Sequence, residues 1–171
     1  MSMLHRAFAF DWGRFDRELR PTIERALRAD DVALIRAWCE AQVADLSDPY
    51  EGEPLPVDWE RQLERADVQE FADYALTAFY DVSADFGLDD DWLEVESTLD
   101  DAVRAALLGT VVSSGGHNFD PGRMGSYFRA PAEIPHVLRL LRSTNIARLL
   151  RYASDVEAAC ANSGLGIYVT F

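Results

Sequence analysis

Lysine is absent from this chain, and all 16 of its basic residues are arginine. That absence excludes Schiff-base catalysis on lysine, a Walker-type phosphate loop and a kinase-type phosphate-pairing lysine. Cysteine is scarce as well. Cys39 and Cys160 are the only two, each on the apolar face of an expected helix, so free buried thiols are expected and a disulfide framework is excluded by count. The three histidines, His5, His117 and His136, are too dispersed for a zinc motif, and neither His-Glu-x-x-His nor Cys-x-x-Cys occurs. No metal and no cofactor are expected. No apolar run approaches the roughly 20 residues that cross a bilayer. Met1 to Phe10 also lacks the basic start, long apolar run and small-residue cleavage site of a secretory signal. The expectation is a cytoplasmic protein with no membrane partner.

What the chain has in excess is acid. Its formal charge is −14, yet 49% of its residues are hydrophobic, enough for a folded core despite that charge. A length of 171 residues fits a single domain spanning 1–171. The charge is unevenly distributed: residues 31–102 hold 21 acids against three arginines, a net of −18, whereas the segments before and after carry +1 and +3. An acidic centre repels nucleic acid phosphate and steers a basic partner instead. The plainer reading is that acidic helices face water and keep the chain soluble.

Apolar residues recur at helical spacing through most of the sequence. Phe15, Leu19, Ile23 and Leu27 define a first helix from about Asp11, with Pro21 able to bend or split it. The pair Asp30-Asp31 supplies an N-cap for a second, with Ile35, Trp38, Cys39, Val43 and Leu46 inward. Ser47–Pro56 is a loop on composition. A third helical region runs from about Asp58 to Tyr80, with a break near a capping Asp67. Asp91 and Glu94 read as a capping box for a helix continuing to about Leu108. Two more helices follow, one with Pro135 in its first turn and one capped by Asn145 and stopped at Ser163-Gly164. Gly166–Phe171 is rich in strand formers and is expected to pair, with residues 110–113 as the candidate partner. The fold class predicted is α+β, helix-dominated, with about six helices and one small sheet that includes the C-terminal strand.

The glycine-rich stretch 109–131 breaks the helical pattern, and a loop this long in a compact domain is more often functional than not. It concentrates His117, Asp120 and Arg123, followed by Tyr127. An imidazole suits proton transfer near neutral pH, and a guanidinium clamps an anion. An enzyme or small-molecule-binding protein would use His117 as acid–base and Arg123 as clamp. The competing reading is a turn-forming loop in which Asn118 and Asp120 satisfy backbone amides. Tyr127 and Phe128 either line a groove or fill the space under the loop. The acidic run Asp89, Asp90 and Asp91, with its neighbours, does not keep the register of a calcium loop. It reads instead as helix capping or as a surface for a basic partner. Trp12, Trp38, Trp59 and Trp92 read as core.

From Trp92 onward the order of features resembles the YfbM-like family of small bacterial proteins. The residues that carry it are Leu107-Leu108-Gly109-Thr110, then Gly115-Gly116, then Gly125-Ser126-Tyr127-Phe128-Arg129-Ala130-Pro131-Ala132-Glu133-Ile134, and the closing Gly164–Phe171. The resemblance covers about 80 residues and leaves out Asp48–Gly52 and Tyr74–Tyr80. It implies an α+β fold ending in a helix and a short strand, and it carries over no activity and no catalytic residue. Small acidic families of this kind include toxin-immunity proteins. The function expected is therefore a non-catalytic protein-binding module, with an immunity-type inhibitor of a basic toxin as its particular form. The alternative is a ligand-binding protein or enzyme using the 113–123 loop. Self-association, the positive final third meeting the acidic middle, is a third possibility.

Overall fold

Side-chain alternation along three short strands places the centre of the molecule. The computed structural model describes residues 4–160 and 163–171. In it Arg6–Phe10 forms strand β1, with Phe8 and Phe10 on one face and Ala7 and Ala9 on the other. The C-terminal Gly166–Thr170 is a strand as expected, and it lies between β1 and Ser126–Arg129 in an antiparallel three-stranded sheet. Tyr168 pairs with Phe8 on one side and Phe128 on the other.

The expected pairing of this strand with residues 110–113 does not form. Thr110 bridges Phe128 instead, and Ser113–Ser114 (β2) pairs with His117–Asn118 (β3) as a second, two-stranded sheet. The reason is local. Gly115 and Gly116 take φ of 62° and 81°, the left-handed pair that closes a two-residue hairpin. The stretch 109–131 is thus a hairpin followed by strand β4 (Ser126–Arg129), and the C-terminal strand is β5.

Among the described residues there are eight α-helices, two more than the six read from periodicity. One extra comes from a break at Leu19 between α1 (Trp12–Glu18) and α2 (Arg20–Ala29), with Pro21 in the first turn of α2, where its missing N–H is not needed. The other comes from a break after α5 (Asp91–Glu96), where Asp100 accepts from the Val103 N–H at 2.8 Å and starts α6 (Asp101–Leu108). Asp31 caps α3 (Val32–Gln42), and Asp67 caps α4 (Val68–Leu76) through the Glu70 N–H at 2.9 Å. The helix expected to start near Asp58 is only a 3-10 turn, Trp59–Gln62. Beyond it the backbone wraps the Glu70 carboxylate, which accepts from the N–H groups of Glu64, Arg65 and Ala66. Pro135 sits in the first turn of α7 (Ile134–Ser143), and α8 (Ala147–Cys160) follows.

Helices α1–α4 pack on the face carrying Phe8, Phe10, Phe128 and Tyr168, and α5–α8 on the face carrying Ala7, Ile167 and Val169. Covered on both sides, β5 is buried along Gly166–Val169. Each fully buried phenylalanine in these layers contributes roughly 1.5–3 kcal/mol of transfer free energy. Trp59 and Trp92 are buried, whereas Trp12 and Trp38 are half-buried against the same core. Cys39 and Cys160 are free and buried, and desolvation pushes their thiols up to about 12 and about 11. His5 is buried beneath Trp92, with ring centroids 5.3 Å apart, and its Nδ1 accepts from the Leu88 N–H. Burial lowers its pKa to about 4. No helix among the described residues is long and apolar enough to cross a membrane.

Candidate functional site

The residues singled out in the loop do not assemble into one site. His117 is exposed on β3 and lines a small cavity of about 110 Å³ with Leu27, Asp30, Asp67 and Gln69. Arg123 lies at φ 59° on the rim of a different cavity. The acid–base and anion-clamp pair expected of these two side chains is therefore not formed. Asp120 is committed to the loop itself: its carboxylate accepts from the Gly125 N–H at 2.9 Å, and its own N–H donates to the side-chain Oε1 of Gln69 at 2.8 Å. The Gln69 amide also donates to the Asn118 carbonyl, Arg28 donates to the Ser114 hydroxyl, and Arg65 donates to the Pro121 carbonyl. Phe119, fully buried against Phe128, anchors the hairpin in the core. Tyr127 is half-buried against Phe171.

The acidic run is also engaged. Asp89 exchanges backbone hydrogen bonds with His5 at φ 50°, and partial desolvation, then Asp85 and Asp90, push its carboxyl up. Asp90 occupies the N-cap of α5 without a capping side-chain bond. The capping box expected of Asp91 and Glu94 is absent, because both side chains turn to α8. Asp91 pairs with Arg148 at 3.2 Å and Arg151 at 3.1 Å, and Glu94 pairs with Arg148. The positive final third thus meets the acidic middle inside one chain, through exposed pairs that salt screens.

A larger concavity lies elsewhere. A cavity of about 570 Å³ opens between the Asp48–Tyr50 turn, the 62–65 turn, the outer face of α4 and Pro121–Arg123. A second of about 220 Å³ adjoins it, walled by Phe8, Tyr80, Tyr168 and Phe171. Tyr50 and Asp73 line both.

The carboxylates of the larger cavity divide into two kinds. Asp48 closes its own turn, accepting from the N–H groups of Tyr50 and Glu51 and facing the Tyr74 hydroxyl at 3.4 Å. Glu70 accepts the three backbone N–H groups described above. Asp73 is different: half-buried on α4, it has no hydrogen-bond or ion-pair partner among the described residues. Desolvation pushes its pKa up to about 7, with Arg65 opposing and Glu70 and Asp48 reinforcing. The same desolvation, reinforced by Asp48 and Glu70, takes Tyr74 up to about 12, and Tyr50 and Tyr80 are also raised. A carboxyl held without partners in a polar cleft is open to a cationic ligand or to proton transfer.

No group of three or more His, Cys, Asp or Glu among the described residues is arranged to hold a metal ion. Reading of the loop and the acidic run overlooked Asp73. Its signal was present in Phe71-Ala72-Asp73-Tyr74-Ala75-Leu76, one acid inside an otherwise apolar and aromatic helical run. A lone acid in such a run is placed where ionisation is costly. Compared with protein-family models, curated proteins and solved structures, the chain matches none of them.

Proposed function

We propose that this protein is a non-catalytic binding module for a basic protein partner, received at the cleft around Asp73. An immunity-type inhibitor that covers a basic toxin is the particular form this reading favours. The observation that carries it is the division of polar groups. Most of the loop's polar groups are bound within the fold, to Arg28, Arg65, Gln69 and the loop's own backbone, whereas Asp73 has no hydrogen-bond or ion-pair partner among the described residues, in a cleft also walled by Asp48, Glu64 and Glu70. Exposed Asp45, Glu51, Glu53 and Asp58 on neighbouring turns extend the negative field outward, and such a field speeds encounter with a positive partner. The resemblance to the YfbM-like family adds no residue to this reading.

Capture of partners on the immobilised protein tests it, at low and high salt, beside a double variant Glu64→Gln/Asp73→Asn. The expected result is a basic protein retained at low salt, released at high salt and not held by the variant. Equal retention by the variant, or retention indifferent to salt, overturns the proposal.

A second reading has one observation in its favour. Arg123 lines the same cavity as Asp73, and burial pushes the Asp73 carboxyl up to about 7, toward the range of a general acid–base. The cleft then serves a small molecule, with Arg123 holding its anionic end. Arg123→Asn separates the two readings: it removes a repulsive charge if the ligand is a cation and removes the clamp if it is an anion.

A further inference from the structure

The cleft's two compartments differ in chemistry. The larger is acidic, and the smaller is aromatic, and Asp73 stands at their junction with Tyr50 at the mouth. We propose that the junction receives an arginine side chain of the partner, its guanidinium against the Asp73 carboxyl and beside the ring of Tyr50. This rests on the binding reading above and narrows it to one side-chain chemistry.

Three features favour guanidinium over ammonium. Neither carboxyl oxygen of Asp73 has a partner among the described residues, so the two-pronged geometry a guanidinium prefers is open. Tyr50 is 70% exposed, yet its hydroxyl is pushed up by desolvation and then by Asp73 and Glu70. The residue lines both compartments, so its ring is accessible at the mouth. A guanidinium is weakly hydrated and stacks on such rings, whereas an ammonium is a compact and strongly hydrated charge. The wall of the second compartment already carries a guanidinium: that of Arg6 lies 5.1 Å from the Phe8 ring centroid, tethered to Asp85 at 2.8 Å.

The arginines near Asp73 set the opposing charge. Arg65 is tied to Pro121 and paired with Asp67 at 3.5 Å. Arg123 has no ion-pair partner among the described residues and stands on the rim. The surrounding acids favour a side chain brought by a basic protein over a free small molecule, because the field extends well beyond the cavity.

The test is a calorimetric titration of the full chain at low salt. The probes are a short glycine–arginine peptide, its glycine–lysine counterpart and N-acetyl-arginine amide. The arginine peptide is expected to bind about tenfold more tightly than the lysine peptide. Asp73→Asn abolishes that preference, and Arg123→Asn raises arginine affinity severalfold. Equal affinities that fall together in Asp73→Asn overturn the arginine preference and leave the basic-partner reading standing. Binding of neither peptide, or binding indifferent to Asp73→Asn, overturns the cleft as the site. N-acetyl-arginine amide binding as tightly as the peptide overturns the partner as the source of the guanidinium.

Discussion

The hairpin loop and the outer wall of α4 lie side by side and treat their polar groups in opposite ways. Between Ser113 and Arg123 the chain carries hydroxyl, imidazole, carboxylate and guanidinium groups, a set that invites a catalytic reading. Most of the loop's polar groups hold it in place: Gln69 clasps two loop residues, Asp120 closes a turn and Phe119 pins the loop into the core. The α4 wall looks plainer in sequence, yet Asp73 on it has no hydrogen-bond or ion-pair partner among the described residues. A side chain bound within the fold is part of the scaffold, and a desolvated one left open is held ready for something outside it. Chemical variety in a loop is a weaker guide to a site than an unmatched polar group in a concave wall.

The contrast can be broken most forcefully at Phe119. Phe119→Ala removes a fully buried ring from the loop and is expected to cost about 3–5 kcal/mol, read by urea denaturation. A loss below about 1 kcal/mol would mean that the loop is not anchored as described.

The next largest effect concerns Asp73 and depends on pH. Its folded pKa lies near 7, above the ordinary carboxyl value of 3.8. The stability linked to its bound proton is therefore complete below about 4 and is lost as pH rises through 7. Asp73→Asn does not titrate. It should gain on the wild type across that window, by on the order of 2 kcal/mol at pH 8 once solvent access to the half-buried carboxyl is discounted. Thermal melts of both proteins from pH 4 to 8 check this, and parallel profiles would show that Asp73 is solvated like any surface acid.

The smallest effects separate clasp from ornament. Gln69→Ala leaves the Asn118 carbonyl and Asp120 N–H without their partner and should cost about 1–2 kcal/mol. His117→Ala, on the exposed strand of the same hairpin, should fall within about 0.5 kcal/mol of wild type. Reversed magnitudes would return His117 to the list of functional candidates.

Local signals made much of the fold legible. Asp31 and Asp67 cap where their spacing ahead of apolar runs indicates, Pro21 marks a helix junction, and Gly166–Phe171 reads as a strand from its β-branched and aromatic residues. The misreadings came from long-range pairing. β1 is only a short apolar patch in sequence, and only β5, at the far end of the chain, makes it a strand. β4 lay hidden in the glycine-rich stretch because its four residues owe their extension to the same distant partner. Asp91 read as a cap because nothing near it in sequence announces Arg148 and Arg151. The site escaped for a related reason. Asp73 shares a helix face with ordinary polar positions, and only the approach of the Asp48–Tyr50 turn and the 121–123 segment makes that face a cavity wall.

The position of β5 between β1 and β4 bears on how the molecule forms. Neither outer strand pairs with the other: β4 and β5 meet by closing the 36 residues between them, whereas β1 cannot join until the chain has closed a loop of nearly its whole length. For β1 that loop-closure entropy falls before any of its ladder bonds is made, which favours slow completion of the sheet with helices gathered first. Until then the phenylalanines of β1 and β4 face unfinished surfaces, and this is the interval in which the protein is most open to aggregation.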